Sequence, residues 1–324
     1  MMKNKIIRLL WNSKGDYISG EQISRQLGIT RSAVWKSISS IKSDGAEIEA
    51  SSGKGYKLNK LPDLLKPEYL NAYSDKLPGG IRWFEEVDST NNYLKELSRD
   101  KSIKEAVAVV EFQTGGKGRL GRIWTSNQGD SIQMSFLIKP DASPADANAY
   151  NFAGALGICR AIKNACGIDV KIKWPNDIVY DGKKICGILT EMSTDMNQIE
   201  YIVFGAGINV NQKEFDGELS EKAVSLRMIK GRKIDRLALC AEEITCVFDY
   251  FELINDGKKE SVMKEYENKS AILGKRINLI SRDKTIGGVC EGFGADGELL
   301  LDTDGKIKSF HAGEVSVRGE TGYV

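Results

Sequence analysis

The alternation of apolar and polar residues near the start of the chain predicts two short helices. Ser19 and Gln22 have the spacing of a capping box, in which two side chains satisfy free backbone N–H groups at the start of a helix. Gly28 can end that helix, and Thr30 can cap a second one. The apolar stripe of this second helix consists of Val34, Ile38 and Ile41. Two helices joined by a tight glycine turn are typical of a helix-turn-helix.

The residues that follow predict a β-hairpin with a basic tip. Residues 48–58, IEASSGKGYKL, form two strand-like stretches around Gly53, Lys54 and Gly55. A hairpin in this place is the wing of a winged helix-turn-helix, which we place at residues 1–60. The side chains expected to bind DNA are Arg31, Ser32, Trp35, Lys36 and Lys54. A winged helix that binds another protein is the alternative.

The middle of the chain mixes strand and helix patterns. Three prolines, Pro62, Pro67 and Pro78, mark a linker at 61–80, because each interrupts regular structure. Strands are expected at 106–112, 131–138, 185–192 and 201–210. The spacing of Phe152, Leu156, Cys159 and Ile162 predicts a buried helix face, and 235–269 is predicted as helix. We therefore predict a mixed α+β domain at 81–270.

Short alternating segments predict a small β-barrel of the SH3-like type at 271–324. They lie at 275–280, 287–292, 298–301 and 306–311, and turn pairs such as Asp296-Gly297 and Asp304-Gly305 separate them. The predicted fold class is thus α/β multidomain, with a winged helix, a central mixed α+β domain and a C-terminal barrel.

Composition narrows the class of protein. The 324 residues are 41% hydrophobic and 28% charged, no apolar run approaches the roughly 20 residues of a membrane helix, and we expect a cytoplasmic protein. Six cysteines without a CxxC pair fit reduced thiols, and a single histidine, His311, excludes mechanisms that need two. Residues 1–60 hold 11 Lys and Arg against 5 Asp and Glu, a charge of +6, whereas the rest carries −5. The basic block favours a polyanionic partner.

A glycine-rich basic loop at 115–124, GGKGRLGRIW, is the strongest chemical signal. Its glycines let backbone N–H groups approach an anion, and Lys117, Arg119 and Arg122 add positive charge, so the loop suits a phosphate or a carboxylate. It is not a P-loop, because Arg and Ile follow Gly121 where Lys and Ser or Thr are required. No helix follows, as a dinucleotide-binding loop requires, and the kinase motifs VAIK, HRD and DFG are absent. A plain surface loop is the remaining alternative.

Two further motifs carry polar groups. In KIKWPND, residues 171–177, a strand ends at a proline and leaves Asn176 and Asp177 on a turn, where they could orient a nucleotide, a magnesium ion or an amine. In DGKKICGI, residues 181–188, a hairpin carries Lys184 into the next strand.

Together these motifs resemble the bacterial family of bifunctional biotin protein ligases and biotin operon repressors. The resemblance rests on the winged helix, Ser-Thr-Asn at 89–91, GKGRLGRIW, KWPND, KKICGIL and GAGINVN at 205–211, in that order. It implies a biotin/lipoate-ligase-like catalytic domain that activates biotin with ATP as biotinyl-5′-AMP. Biotin would then pass to one lysine of the biotin carboxyl carrier protein of acetyl-CoA carboxylase. The family also represses biotin genes, binding operator DNA as a homodimer with biotinyl-5′-AMP as corepressor.

The resemblance also implies a set of site residues. Biotin would be bound by Ser89, Thr90, Asn91, Gln113, Lys117, Gly118, Arg119 and Lys184. ATP and the adenylate would be bound by Lys173, Asn176, Asp177, Gly205, Gly207 and Asn209. Arg119, Lys184 and Asp177 would be catalytic: Arg119 retains the intermediate, Lys184 lies by the activated carboxylate, and Asp177 meets the incoming amine. Mg²⁺ would arrive on ATP, and no protein ligand is assigned to it.

The chain departs from the family's usual loop at Lys117, where Arg is usual, and at Leu120, where a basic residue is common. Residues 211–226 resemble the family's adenylate-binding loop, and His311 is interpreted as a surface residue of the barrel. Two alternatives remain: a transcription factor that keeps the ligase fold as a biotin sensor, and a relative of the lipoate ligases.

Overall fold

The computed structural model describes residues 2–125, 127–281, 284–312, 315–319 and 322–324. These residues form two units, one of residues up to 77 together with 235–241, and one of residues 78–234 together with 242–324. No helix among them is long and apolar enough to cross a membrane. All six cysteines are buried free thiols.

The first unit begins with three helices and a hairpin. Its elements are α1 (Met2–Asn12), α2 (Gly20–Leu27), α3 (Arg31–Ser43), β1 (Glu47–Ser51), β2 (Gly55–Lys60) and α4 (Pro67–Leu70). The predicted capping box is confirmed: Ser19 Oγ accepts from the Gln22 N–H at 3.1 Å, and the Ser19 N–H donates to Gln22 Oε1 at 3.0 Å. Gly28 has φ +65°, and Thr30 caps α3. The helix-turn-helix and its antiparallel wing are therefore confirmed.

Helix α1 was not predicted from the sequence, yet it completes the core of this unit. Its residues Ile6, Ile7 and Leu10 are buried, and α1 packs against α2 and α3. Proline-rich residues after the wing also pack into this unit. The buried side chains there are Leu61, Leu65, Tyr69 and Leu70.

The second unit is built on a seven-stranded sheet. Its strands are β3 (Ile81–Val87), β4 (Glu105–Gln113), β5 (Ser131–Ile138), β6 (Lys171–Lys173), β7 (Asp177–Tyr180), β8 (Lys183–Thr194) and β9 (Ile199–Asn209). Their order is β3-β4-β5-β9-β8-β7-β6, and every pair except β3–β4 is antiparallel. The four strands predicted here are confirmed. Six helices belong to the central part of the chain: α5 (Thr90–Leu97), α6 (Ala147–Cys166), α7 (Leu219–Lys222), α8 (Leu226–Lys230), α9 (Arg236–Asn255) and α10 (Lys259–Lys269).

One helix prediction is wrong. Residues 235–269 do not form a single helix, because the chain turns between α9 and α10 at Gly257, which has φ +76°. A left-handed residue of this kind ends a helix, and glycine adopts it without strain.

The last part of the second unit is a five-stranded antiparallel sheet. Its strands are β10 (Arg276–Ser281), β11 (Lys284–Phe293), β12 (Leu299–Thr303), β13 (Lys306–Phe310) and β14 (Ser316–Gly319). Their order is β13-β12-β11-β10-β14. The first four were predicted and are confirmed; β14 was not predicted. The sheet is consistent with an SH3-like fold.

Candidate functional site

A cavity of about 610 Å³ lies in the second unit and gathers residues from distant parts of its sequence. It is lined from α5, from strands β4, β5, β8 and β9, and from the glycine-rich loop. Thirteen of the fourteen residues predicted to bind biotin or ATP line it, the exception being Lys173. Its lining includes uncharged polar side chains at the start of α5 and a second group that contains the cations Lys184 and Arg119 together with Asp177. These two groups are termed the uncharged end and the cationic end of the cavity.

The uncharged end forms where α5 begins. Ser89 Oγ accepts from the Asn92 N–H and so caps the helix, and its side chain is buried. The Thr90 N–H and hydroxyl donate to Gln113 Oε1 at 2.8 and 3.1 Å. The first turn of the helix therefore fixes Thr90 and Gln113 toward each other.

Three residues of this network were missed by the sequence analysis. Ser135 Oγ lies 2.6 Å from both Thr90 Oγ1 and Asn91 Oδ1. Asn91 Nδ2 also donates to Glu191 Oε2 at 2.8 Å. Gln113 Nε2 donates to Gln133 Oε1 at 2.7 Å. A signal was available, since Ser131, Gln133 and Ser135 alternate along a strand whose eight residues are all buried, and buried polar groups require partners.

Two glycines of β9 make room for side chains of the cavity. A Cβ at Gly205 would lie 2.2 Å from Asn91 Oδ1, and one at Gly207 would lie 2.5 Å from the ring of Trp124. Both contacts are shorter than van der Waals packing permits. Trp124 therefore packs on the sheet beneath the loop.

The cationic end contains a buried ion pair. Lys184 Nζ lies 2.5 Å from Asp177 Oδ1 and 5.6 Å from the centroid of the Trp124 ring. Burial raises the pKa of Asp177, but the charge and hydrogen bond of Lys184 outweigh it, and the net pKa is lowered. Asn209 Nδ2 donates to the Lys184 carbonyl at 3.5 Å. Asp177 is thus held as a carboxylate inside the cavity.

Arg119 of the glycine-rich loop forms hydrogen bonds with the chain between β13 and β14 of the C-terminal sheet. Its guanidinium donates to Asn176 Oδ1 at 3.2 Å, and to the carbonyl oxygens of Ala312 and Val315. Burial lowers the pKa of Arg119 from its high ordinary value. Lys117 is exposed, and it pairs across the loop with Ile123. The loop therefore brings three cations to the cavity: Arg119, which is anchored, and Lys117 and Arg122, which are exposed.

Lys173 is not among the residues that line the cavity, so its predicted contact with the nucleotide stays a prediction. The side chain is 2% exposed, and its Nζ lies 3.3 Å from the ring centroid of Tyr323. Burial lowers the pKa of Lys173 to about 7. Tyr323 lines the cavity together with Arg318, and both were missed because they lie some 140 residues along the chain from the motifs they meet.

The predicted DNA-binding side chains lie on one helix and one hairpin tip of the first unit. Arg31, Ser32, Trp35 and Lys36 are exposed on α3, with Trp35 61% exposed, and Lys54 is exposed at the wing. Lys54 Nζ lies 5.7 Å from the centroid of the Tyr17 ring. His311 is exposed and does not line the cavity.

Comparison with known proteins supplies a context for both units. The sequence matches the Biotin/lipoate A/B protein ligase family over residues 83–209, an HTH domain over 3–57 and the Biotin protein ligase C terminal domain over 272–318. It is 30% identical to the bifunctional ligase/repressor BirA of Bacillus subtilis, over 98% of each chain. The BirA of Escherichia coli is also 30% identical, over 97% of this chain and 96% of that one. A biotin protein ligase from Aquifex aeolicus, solved with biotin and ATP, superposes with a TM-score of 0.65 at 28% identity, covering 75% of this chain and all of that one.

Proposed function

Because the chain belongs to the bifunctional ligase/repressor BirA family, we propose that it is a biotin–[acetyl-CoA-carboxylase] ligase that also represses transcription. It would activate biotin with ATP as biotinyl-5′-AMP and transfer the biotin to one lysine of a biotin carboxyl carrier protein. The same adenylate would act as corepressor for binding to operator DNA.

The observation that carries the ligase proposal is the division of the cavity into an uncharged and a cationic end. The ureido head of biotin needs donors and acceptors without charge, which Ser89, Thr90, Asn91 and Gln113 supply. The carboxylate of biotin and the phosphates of ATP need fixed positive charge, which Lys184 and Arg119 supply. Lys117 and Gly118 would cover biotin from the loop. Gly205, Gly207 and Asn209 would line the adenylate, and Asn176 would meet the nucleotide.

Two displacements make up the reaction. A carboxylate oxygen of biotin attacks the α-phosphorus of ATP, and pyrophosphate leaves. Since both reactants are anions, Lys184 and Arg119 lower the barrier by holding them together. The lysine amine then attacks the acyl carbon, AMP leaves, and the amine gives up a proton to Asp177. Lys173, which lies behind Tyr323, would add to the positive potential without touching the nucleotide.

Magnesium would enter with its nucleotide. No group of three or more His, Cys, Asp or Glu side chains that could hold a metal occurs in the described ranges, and Asp177 is already engaged by Lys184. Mg²⁺ bound to ATP would neutralise phosphate charge, while the protein supplies the cations named above.

The repressor activity would use the first unit. The exposed cations of α3 and the wing suit phosphate contacts, and a palindromic operator would be met by a homodimer formed when biotinyl-5′-AMP is bound. A free sheet edge is available for such a dimer: β7 pairs with the first part of β8, and no described strand covers the other side of residues 189–194. We place this protein in the cytoplasm, where its thiols stay reduced.

The test is the intact mass of a carboxyl carrier domain after incubation with the protein, biotin and Mg·ATP. A gain of one biotin that requires every component would support the ligase. Lys184→Ala should abolish the gain, whereas Lys183→Ala, which alters a neighbouring lysine bonded to the Ser220 carbonyl, should retain it. Retained biotin binding without a mass gain would indicate a sensor, and competition by lipoate would indicate a lipoate ligase relative.

A further inference from the structure

Tyr323 joins Asp177 to Lys173 at the cationic end of the cavity. Its hydroxyl donates a hydrogen bond to Asp177 Oδ2, and its ring centroid lies 3.3 Å from Lys173 Nζ. The Arg318 guanidinium lies 5.0 Å from the same ring. Within the described part of the chain, Lys173 Nζ has no hydrogen-bond acceptor. The ring face is therefore the group that its ammonium meets.

The position of Tyr323 is fixed by close packing of the backbone around the neighbouring Val324. A Cβ at Gly319 would lie 2.5 Å from the carbonyl carbon of Val324, a contact that no real side chain makes. A Cβ at Gly182 would lie 3.7 Å from the Val324 oxygen. Residues 322–324 thus run between the end of β14 and the β7–β8 turn. The glycine at 319 permits this approach, and Tyr323 points from it into the cavity lining.

We propose that Tyr323 is a positioning residue for the transfer of biotin to the carrier lysine, holding the Asp177 carboxylate toward the cavity and Lys173 behind it. The inference rests on the proposed function, in which Asp177 meets the incoming amine. Lys184 binds one carboxylate oxygen and Tyr323 binds the other, so the two together fix the plane of the carboxylate. Without the hydroxyl, only the Lys184 contact would remain to orient it.

The electrostatic surroundings of Asp177 make this role measurable. The groups that face it are Lys173 of β6, Lys184 of β8, Arg119 of the loop, Tyr323, Cys186 and Tyr266. Burial raises the pKa of Asp177, and the charge of Lys184 and the hydrogen bonds from Lys184 and Tyr323 lower it. Burial also raises the pKa of Tyr323 well above its ordinary value, so its hydroxyl stays a donor. Removing the hydroxyl should therefore make Asp177 easier to protonate.

The first experiment uses the full chain with Tyr323→Phe, which keeps the ring. The rate of transfer from preformed biotinyl-5′-AMP to the carrier domain is measured across pH. We expect the acid limb to move up by about one pH unit, since a hydrogen bond to a charged group has been lost. The plateau rate should also fall, because only Lys184 then orients the carboxylate. Tyr180→Phe is the matched control, because Tyr180 is on the same strand as Asp177 and is exposed. A purely structural role would lower the rate equally at every pH.

A second pair of variants keeps the inference testable if the first effect is small. Tyr323→Leu removes the ring as well, so Lys173 loses the group that holds its positive charge behind the cavity. KM for ATP should therefore rise, while KM for biotin stays unchanged. Gly319→Ala leaves the tyrosine in the chain but displaces its segment, and should reproduce Tyr323→Leu. A Tyr323→Phe profile that superimposes on that of the unmodified protein overturns the proposal. So does a lower KM for ATP in Tyr323→Leu, which would make the ring an obstruction. An unmodified protein that fails to biotinylate the carrier would instead overturn the proposed function.

Discussion

Glu243 lies in the core of the second unit, and no charged group of the described residues pairs with its carboxyl group. It is fully buried in α9, and neither carboxyl oxygen has a hydrogen-bond partner among the residues that the structure describes. Burial raises its pKa well above the ordinary value of 4.5. The folded protein therefore keeps Glu243 protonated where the unfolded chain has already lost the proton.

This difference predicts how stability depends on pH. Between pH 4.5 and the raised pKa of the folded state, the free energy of unfolding should lose about 1.4 kcal/mol per pH unit through this group. Glu243→Gln cannot ionise, so it should be more stable than the unmodified protein, and increasingly so as pH rises through that window. Urea unfolding at several pH values measures the difference. Glu252→Gln, on the exposed side of α9, is the control, and an equal gain at every pH would contradict the explanation.

Single residues of the site could be predicted where a local motif identified them. Lys184 and Asp177 stood in recognisable segments, and the structure brings their charges together. Tyr323 had no motif, because its partners Asp177 and Lys173 belong to strands far away in the sequence. Its contacts result from the packing of the C-terminal segment, which periodicity does not encode.

Helices and strands, like single residues, could be predicted where the signal in the sequence is local. The capping box at Ser19 and the alternation along β5 are local signals, and both elements formed as predicted. Helix α1 was overlooked, since its first turn carries no acidic residue to mark the start of a helix. The break at Gly257 was overlooked because the residues on both sides of it keep a helical pattern. A turn inside such a pattern is decided by the packing of the two helices rather than by their sequence period.

A substitution at the tip of the wing tests whether the hairpin contacts DNA. Lys54 is exposed at the hairpin tip, so Lys54→Ala should weaken operator binding about equally for all sequences. The slope of log K against log salt should fall by about 0.9, the value for one lost phosphate contact. Titrations at several salt concentrations measure it. Lys60→Ala on the same hairpin is the control, because its ammonium lies 3.4 Å from Glu47. An unchanged slope for Lys54→Ala would remove the wing from the interface.

At the scale of the whole molecule, positive and negative charge are divided between the part proposed to bind DNA and the part proposed to act as a ligase. The first 60 residues carry +6, and the rest carries −5 and contains the cavity. If the adenylate made in one unit controls DNA binding by the other, operator affinity should rise when biotin and ATP are both present. Fluorescence anisotropy of labelled operator DNA tests this.

Lys184→Ala gives the matching control for that titration, because a protein that makes no adenylate should bind the operator equally with and without the two substrates. Equal affinity of the unmodified protein under both conditions would contradict the coupling.

The order of the three domain matches could be predicted from motifs along the chain. The coupling itself depends on a surface formed by two copies, which no pattern within one sequence specifies.

The six buried thiols have a practical consequence. Burial raises the pKa of Cys159 to about 12 and that of Cys166 to about 11, so little reactive thiolate forms near neutral pH. A cysteine introduced at Met196, which is 93% exposed, would therefore be the fast-reacting thiol toward a maleimide dye. A fluorophore can therefore be attached to this protein at one chosen position without first replacing its native cysteines.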